Sequence, residues 1–214
     1  MEYAWRAFKN VPRKTLKKGI RNLDGAGQPI LVGNDHVALP FFIPAFLSAT
    51  ECTRILKFRD ELAAEEGKIF DSGEKASEIR ESRVRWIFPN RRTDWVFDHL
   101  ERAINIANRH YRFELYGFFQ GAQIGTYPTG GHYDWHPDMG TGNTSTRKLS
   151  ISVLISDPSE YDGGDLEYRD LRGECPKERG TAIVFPSFLI HRVAPVTRGT
   201  RVSLVSWISG PPFR

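Results

Sequence analysis

Two stretches in the N-terminal half of the chain repeat apolar residues with the 3.6-residue period of an amphipathic helix. The first follows Ser48-Ala-Thr-Glu51, a capping-box sequence, and we expect this helix to end around residues 65–67. The second follows Thr93, a favoured N-cap residue, and is expected to end near Arg109. The apolar positions of the two helices are Cys52, Ile55, Leu56, Phe58 and Leu62, and then Trp95, Val96, Leu100, Ala103, Ile104 and Ala107.

After Tyr111 the pattern changes to short β-like segments separated by Gly, Pro and Asp turns. In one of these segments, Leu149, Ile151, Val153 and Ile155 alternate with Ser150, Ser152 and Leu154, which is close to the pattern of a strand with one buried face. Two helices followed by a run of strands predict an α+β fold, with the helices packed on one face of a sandwich or barrel. The predicted strands are 116–127, 148–155, 165–168, 181–185 and 201–209.

The segments around the helices are less regular. Residues 36–43 are β-like but interrupted by Pro40, and residues 83–88 form a short predicted strand. Residues 68–82 are mostly polar and have no period, so we expect a mobile loop that closes over a substrate as a lid. The chain then divides into an N-terminal arm with the first strands (1–44), supporting helices (45–110) and a strand-rich core (111–214).

Length and composition indicate a globular protein of one domain spanning residues 1–214, with a mass of 24.4 kDa and a mean hydropathy of −0.43. No apolar run approaches the ~18 residues of a membrane span, and the first residues lack the apolar core of a signal peptide. Cys52 and Cys175 are too few for a disulfide framework or a four-cysteine zinc site, although one bridge stays open. We therefore expect a cytoplasmic protein without a membrane partner.

The net charge of +4 comes largely from the start of the chain. Such a basic stretch is most often a solvated arm, and Trp5, Phe8 and Val11 favour its packing on the body of the protein. The alternative is binding to an acidic partner or to nucleic-acid phosphates. The basic residues are Arg6, Lys9, Arg13, Lys14, Lys17, Lys18 and Arg21.

The chemistry of the sequence is concentrated in two motifs. In Tyr127-Pro-Thr-Gly-Gly-His-Tyr-Asp-Trp-His136-Pro-Asp138, His136 and Asp138 are two residues apart and point to the same side of an extended segment, where both can bind one metal ion. A His-x-Asp triplet alone is a weak signal, because Asp138 can equally cap a turn beside a surface histidine. About fifty residues later, a strand leads through Phe185-Pro-Ser187 to His191.

Two histidines and one carboxylate form the facial triad that holds Fe(II) and leaves three positions open, which suit a 2-oxo acid and dioxygen. Arg201 lies ten residues after His191 on another predicted strand, and its fork matches a carboxylate. These motifs resemble the Fe(II)- and 2-oxoglutarate-dependent dioxygenases, most closely the prolyl-4-hydroxylase-like branch with the PKHD-type hydroxylases. The resemblance is firm over residues 114–210 and loose over 45–110.

The resemblance implies a double-stranded β-helix, or jelly-roll, core with supporting N-terminal helices. It implies that His136, Asp138 and His191 ligate iron and that Arg201 binds the far carboxylate of 2-oxoglutarate. Many animal prolyl hydroxylases place a 2-oxoglutarate-contacting tyrosine where this chain has Leu154, so the oxo acid either needs another donor or binds with fewer contacts. Further candidates are Tyr127 and Ser203 for the cosubstrate, Trp207 and Arg83 for the substrate region, and His132 as an alternative metal ligand or a surface histidine.

The function that the resemblance implies is hydroxylation of an aliphatic C–H group, first of all a prolyl residue in a protein or peptide. Fe(II), 2-oxoglutarate and O2 would be required, succinate and CO2 released, and ascorbate is a candidate reductant. A free amino acid or other small molecule is the alternative substrate. A nucleic-acid demethylase is disfavoured, because Trp207 stands where those enzymes usually carry a second arginine. A jelly-roll binding module without turnover is the alternative from a different class.

Overall fold

The computed structural model describes residues 35–66, 79–171 and 173–212. The predicted N-terminal arm and most of the predicted 68–82 loop lie outside these residues. Within them the chain forms two α-helices, α1 (Ala49–Glu61) and α2 (Asp94–Tyr111), twelve strands, and short 3-10 helices at Asp35–Ala38, Gly142–Thr144 and Pro158–Glu160.

Helix α1 begins with the predicted capping box. Ser48 Oγ accepts a hydrogen bond from the Glu51 amide at 3.3 Å, and Glu51 Oε2 accepts one from the Ser48 amide at 2.8 Å. The helix ends several residues before the predicted boundary, since Leu62 is already extended. The chain then forms β2 (Glu65–Glu66), which pairs with β4 (Arg83–Ile87) and could not continue as a helix.

Helix α2 follows Thr93, as predicted, but this threonine makes no side-chain cap bond. Its hydroxyl instead donates to the Phe88 carbonyl at 2.5 Å and accepts from the Asn90 amide at 3.1 Å, fixing the turn before the helix. The helix ends where Arg112 adopts a left-handed conformation with φ 58°. Its predicted apolar stripe is confirmed and gains Phe97 and Tyr111.

Eight strands form the larger sheet, in which all pairings are antiparallel. The long strand β12 (Val196–Ser209) lies near its centre and also pairs with β8 (Tyr161–Gly163). The order across the rest of the sheet is β1 (Phe41–Ile43), β10 (Ala182–Pro186), β7 (Arg147–Leu154), β12, β5 (Ala122–Pro128), β4 and β2. The predicted strands at 83–88, 116–127, 148–155, 181–185 and 201–209 all fall on this sheet, with shifted ends.

Four short strands form the smaller sheet, in the order β3 (Arg80–Glu81), β6 (His132–His136), β11 (His191–Val193) and β9 (Leu166–Tyr168). Of these only β9 was predicted as a strand. The sequence of β6, His-Tyr-Asp-Trp-His, lacks apolar alternation, and β3 and β11 are too short to show a period.

Alternation along the central strands separates two interiors. Leu149, Ile151 and Val153 of β7 pack with both helices in the larger hydrophobic cluster. Ile183 and Phe185 of β10 pack against Leu166 of β9 and other residues of the smaller sheet in a second cluster. The helices therefore cover one face of the larger sheet and the smaller sheet covers the other, which confirms the predicted α+β jelly-roll.

One local prediction was wrong. Strand β7 is not half-buried: all eight of its residues are buried, because its serine face is covered on the side of the smaller sheet. The predicted interruption of residues 36–43 at Pro40 is confirmed. Pro40 lacks an amide donor, so only Phe41–Ile43 pairs with β10, and Asp35–Ala38 forms a 3-10 turn.

Both cysteines are free thiols, with Cys52 buried and Cys175 partly exposed. In the part of the chain that the structure describes, no helix has the length and apolar character needed to cross a membrane.

Candidate metal and 2-oxo-acid site

Residues of both sheets line a cavity of about 810 Å³. It lies on the face of β12 opposite the helices: Arg201, Ser203, Val205 and Trp207 point into it, whereas the intervening Val202 and Leu204 pack in the helix-side core. This two-residue period on one strand places chemically active side chains on a single wall.

A cluster of possible metal ligands occupies one end of this cavity. One ligand atom each from His136, Asp138 and His191 lies within 4.8 Å of the other two. Strand pairing brings the histidines together, since His191 on β11 is directly opposite His136 at the end of β6. The Asp138 oxygens lie 3.9 Å from His136 Nε2 and 3.7 Å from His191 Nε2.

Backbone carbonyls fix the orientation of both imidazoles. His136 Nδ1 is 2.6 Å from the Asp134 carbonyl oxygen, and His191 Nδ1 is 2.9 Å from that of Leu189. A carbonyl can only accept, so each Nδ1 carries the proton and donates it. The lone pair of each Nε2 is therefore free for a metal ion, an arrangement typical of histidine ligands.

Burial and charge shift the pKa values of His136 and Asp138. Burial, together with the nearby His191, lowers the pKa of His136 to about 4, so this imidazole stays neutral at pH 7. Burial alone would raise the pKa of Asp138, but the electrostatic interactions with His191, His136 and Arg147 outweigh it and lower the pKa. The side chain of Asp138 is thus a carboxylate although it is only 8% exposed.

Arg201 is a buried cation in the same cavity, with 1% of its surface exposed. Its Nη1 donates to Ser203 Oγ at 3.1 Å, whereas Nε and Nη2 have no hydrogen-bond partner among the residues that the structure describes. A buried guanidinium with two unused donors fits a carboxylate, which accepts two parallel hydrogen bonds. The donor set of this end of the cavity therefore suits an acid such as a 2-oxo acid.

The other predicted residues have different positions. Tyr127 lies opposite Arg201 on β5, lines the cavity and has its ring 5.5 Å from the guanidinium. Trp207 also lines the cavity. Arg83 is exposed and does not line it, so its assignment to the substrate region is corrected: successive residues of a strand alternate in direction, and Val84 takes the cavity side. His132 lies outside the ligand cluster, with Nδ1 at 3.1 Å from the Gly130 carbonyl oxygen.

Three residues of the cavity wall were missed by the sequence analysis. Tyr133 stacks on His136 with ring centroids 3.4 Å apart. The Arg80 guanidinium lies 4.5 Å from the centre of the Tyr133 ring and donates a hydrogen bond to Gln123. Arg147 contacts the Asp138 backbone and the Trp207 ring. A tyrosine three residues before His136 was visible in the motif, but the positions of Arg80 and Arg147 depend on strand pairing.

Comparison with known proteins agrees with this geometry. Residues 122–209, which contain the ligand cluster and Arg201, match the profile of the 2OG-Fe(II) oxygenase superfamily. This stretch of the chain is therefore similar to the 2OG-Fe(II) oxygenases. The predicted resemblance to this family is thereby confirmed.

Curated proteins similar to this region include PKHD-type hydroxylases. One from Hyphomonas neptunium is 38% identical over 89 residues, covering 38% of this chain and 39% of the relative. YbiX from Shigella boydii is 34% identical over 105 residues, covering 48% of this chain and 41% of the relative. The matches thus span about two fifths of the length of these relatives.

Solved structures share the fold over more of the chain. A prolyl-4-hydroxylase from Pseudomonas putida superposes with a TM-score of 0.63 at 22% identity, over 80% of this chain and 92% of that one. A prolyl hydroxylase from Trichoplax adhaerens, solved in complex with a hypoxia-inducible-factor peptide fragment, gives a TM-score of 0.65 at 17% identity, over 80% and 83%. At these identities the likeness establishes the double-stranded β-helix fold.

Proposed function

We propose that this protein is an Fe(II)- and 2-oxoglutarate-dependent dioxygenase that hydroxylates an aliphatic C–H group. One observation carries the proposal: the His136, Asp138 and His191 cluster opens into the same cavity as the unpaired donors of buried Arg201. A metal-ligand cluster alone suits many metalloproteins. A buried cation beside it adds a place for an anionic cosubstrate.

The ligand set fits Fe(II) because two neutral imidazoles and one carboxylate are the donors of its facial triad. When bound, Fe(II) with 2-oxoglutarate and O2 supplies the oxidation of the C–H group, with succinate and CO2 as by-products. His136 and His191 present their Nε2 lone pairs, and Asp138 contributes the negative charge. Ascorbate is included in the proposal as a reductant that keeps iron in the ferrous state.

Arg201 is the proposed partner of the far carboxylate of 2-oxoglutarate, through Nε and Nη2. Ser203 accepts from Nη1 and so orients the guanidinium, which leaves Nε and Nη2 for the carboxylate of the cosubstrate. Tyr127 forms the adjoining wall, and its hydroxyl is a candidate donor to the cosubstrate. The apolar Leu154 lies behind Arg201 and adds no donor, so the arginine carries most of the binding.

For the substrate, we propose a prolyl residue in a protein or peptide. The prolyl hydroxylase structures with the same fold, one of them peptide-bound, support this choice. The cavity adds a local reason, because Trp207 and Trp86 form an aromatic wall with ring centroids 6.2 Å apart, suited to an apolar ring. A free amino acid remains the second candidate, and a nucleic acid the third.

Substrate-stimulated release of succinate tests the proposal. Purified protein would be given Fe(II), 2-oxoglutarate, ascorbate and air, with proline-containing peptides, free amino acids or methylated oligonucleotides. We expect stimulation by peptides together with a 16-dalton gain on the peptide. The negative control is His136→Ala, which lacks one of the proposed metal ligands. Stimulation by amino acids or oligonucleotides alone would overturn the peptide assignment, and no iron binding at all would favour a binding module without turnover.

A further inference from the structure

Asp138 differs from the other two proposed ligands in how its backbone is held. His136 and His191 lie on β6 and β11, directly opposite each other in a paired ladder. Asp138 lies beyond the end of β6, in the connection from residue 137 to 146 that leads to β7. A residue outside the ladder needs another contact to fix its main chain.

The Met139 amide, next in the chain, donates to the Ser187 carbonyl at 2.8 Å, and the contact at Asp138 itself comes from Arg147, the first residue of β7. Its Nη1 donates to the Asp138 backbone carbonyl at 3.0 Å. Its Nη2 donates to Gln120 Oε1, and its guanidinium lies 4.0 Å from the centre of the Trp207 ring. Arg147 is only 7% exposed, so all three contacts are made in the interior.

The three contacts together leave the guanidinium one orientation. Trp207 fixes its plane, while Gln120 and Asp138 fix its direction within that plane. A planar fork can satisfy all three partners at once, whereas the ammonium of lysine is a point donor and cannot. The same side chain therefore connects the main chain of a metal ligand to the aromatic wall of the substrate cavity.

We infer that Arg147 is a positioning residue for the metal centre, which holds the Asp138 main chain so that its carboxylate faces His136 and His191. This inference rests on the proposed function, because it needs a metal at the cluster. Residues that orient metal ligands typically change metal affinity by 10–100-fold when replaced. Metal affinity, rather than turnover, is therefore the quantity that Arg147 controls.

The test is a titration of the full chain with Co²⁺, followed by its visible absorption, which reports both affinity and coordination geometry. Arg147→Met removes the donors but keeps an unbranched side chain against Trp207. We expect Co²⁺ binding at least tenfold weaker than in the wild type, with an altered spectrum. Arg147→Lys keeps one donor, and we expect an intermediate loss of about threefold or more.

The matched control is Arg83→Met, the same substitution at an exposed arginine outside the cavity, with unchanged affinity expected. Thermal unfolding without metal accompanies each titration. A purely structural role for Arg147 would lower the melting temperature and leave the Co²⁺ affinity and spectrum of the folded protein unchanged. That result, in whichever of the two Arg147 variants folds, would overturn the inference and leave the proposed function standing. Failure of the wild type itself to bind Co²⁺ would overturn both.

Discussion

Arg201 is the residue at which the stability of the free protein and the affinity for the cosubstrate oppose each other. Its guanidinium is 1% exposed and leaves two nitrogens without partners. A buried charge without a counter-ion lowers the free energy of unfolding, and truncating the charged group removes this destabilisation. An acid that pairs with Arg201 removes the same destabilisation. Relief of this destabilisation therefore contributes part of the binding free energy of 2-oxoglutarate.

Thermal unfolding of Arg201→Met, with and without 2-oxoglutarate, tests this opposition between stability and affinity. Without 2-oxoglutarate, the variant is expected to melt at or above the wild-type temperature. With Mn²⁺ and 2-oxoglutarate at a hundred times the dissociation constant, the wild type should gain about 2.7 kcal/mol. The variant should gain little beyond the effect of Mn²⁺ alone. A variant that is strongly destabilised yet still stabilised by 2-oxoglutarate would contradict the assignment.

His136 makes the stability of the metal-free protein depend on pH. Its pKa of about 4 in the folded protein lies below the ordinary value of 6.5, so the unfolded chain binds more protons between these values. The free energy of unfolding must then fall as the pH falls through this window. We expect a loss of about 2 kcal/mol between pH 7 and pH 4.5 from this group.

Urea unfolding of the metal-free protein at several pH values measures this dependence. His136→Gln lacks the titrating group, so its stability should change less over the same range. The difference between the two slopes isolates the contribution of His136. Equal slopes for the wild type and the variant would show that the imidazole is not held neutral by burial.

At the scale of elements, the turn between β8 and β9 shapes the Arg201 subsite. Gly164 has φ +65°, and a Cβ placed there would lie 2.8 Å from Arg201 Cδ and 3.0 Å from Val196 Cγ2. Alanine at this position therefore has to push the arginine stem aside. We expect Gly164→Ala to raise the KM for 2-oxoglutarate about threefold to tenfold. The reason is that the displaced guanidinium loses the geometry of one charged hydrogen bond to the cosubstrate.

Gly130→Ala is the control for backbone strain. Gly130 also has a positive φ, +86°, but a Cβ there would have no atom within 4 Å. In both variants the unfavourable backbone conformation lowers the free energy of unfolding by roughly 1–2 kcal/mol, but only Gly164→Ala crowds Arg201. If the two variants had the same KM for 2-oxoglutarate, the turn would not shape the subsite.

The elements that were predicted from the sequence are those whose own residues carry a period. Both helices and the central strands have repeating apolar positions, and the two-residue spacing of Arg201 and Ser203 placed them on one face. Strand β6 could not be recognised in this way. It carries His136 and has no apolar alternation, and its strand character comes from pairing with β11.

Contacts between distant segments explain the remaining omissions. Arg147 reaches Asp138 across a turn and Trp207 across the sheet, and Arg80 reaches Gln123 43 residues away. The sequence alone does not show that Arg80, rather than Arg83, lines the cavity, because the direction of the side chains in a short strand depends on its register. No local pattern specifies that register. The His-x-Asp motif, in contrast, needed only the spacing of two residues.

At the scale of the whole molecule, the site depends on how the two sheets pack. The smaller sheet and its connection supply His136, Asp138 and His191, and the larger sheet supplies Arg201. A second hydrophobic cluster, with Ile183 and Phe185 from the larger sheet, joins the two sheets beside the cavity. The helices stabilise the opposite face, away from the proposed chemistry. The distance between metal and carboxylate subsites is thus set by sheet packing.

If the ligand cluster and Arg201 act on one cosubstrate, purified protein with Fe(II), ascorbate and air converts 2-oxoglutarate to succinate without added substrate. The amount of succinate formed measures this conversion. The wild type should show slow turnover. His136→Ala should show none, and Arg201→Ala should need at least ten times more 2-oxoglutarate, the cost of losing charged hydrogen bonds. Equal 2-oxoglutarate requirements for wild type and Arg201→Ala, or turnover that survives His136→Ala, would contradict the account.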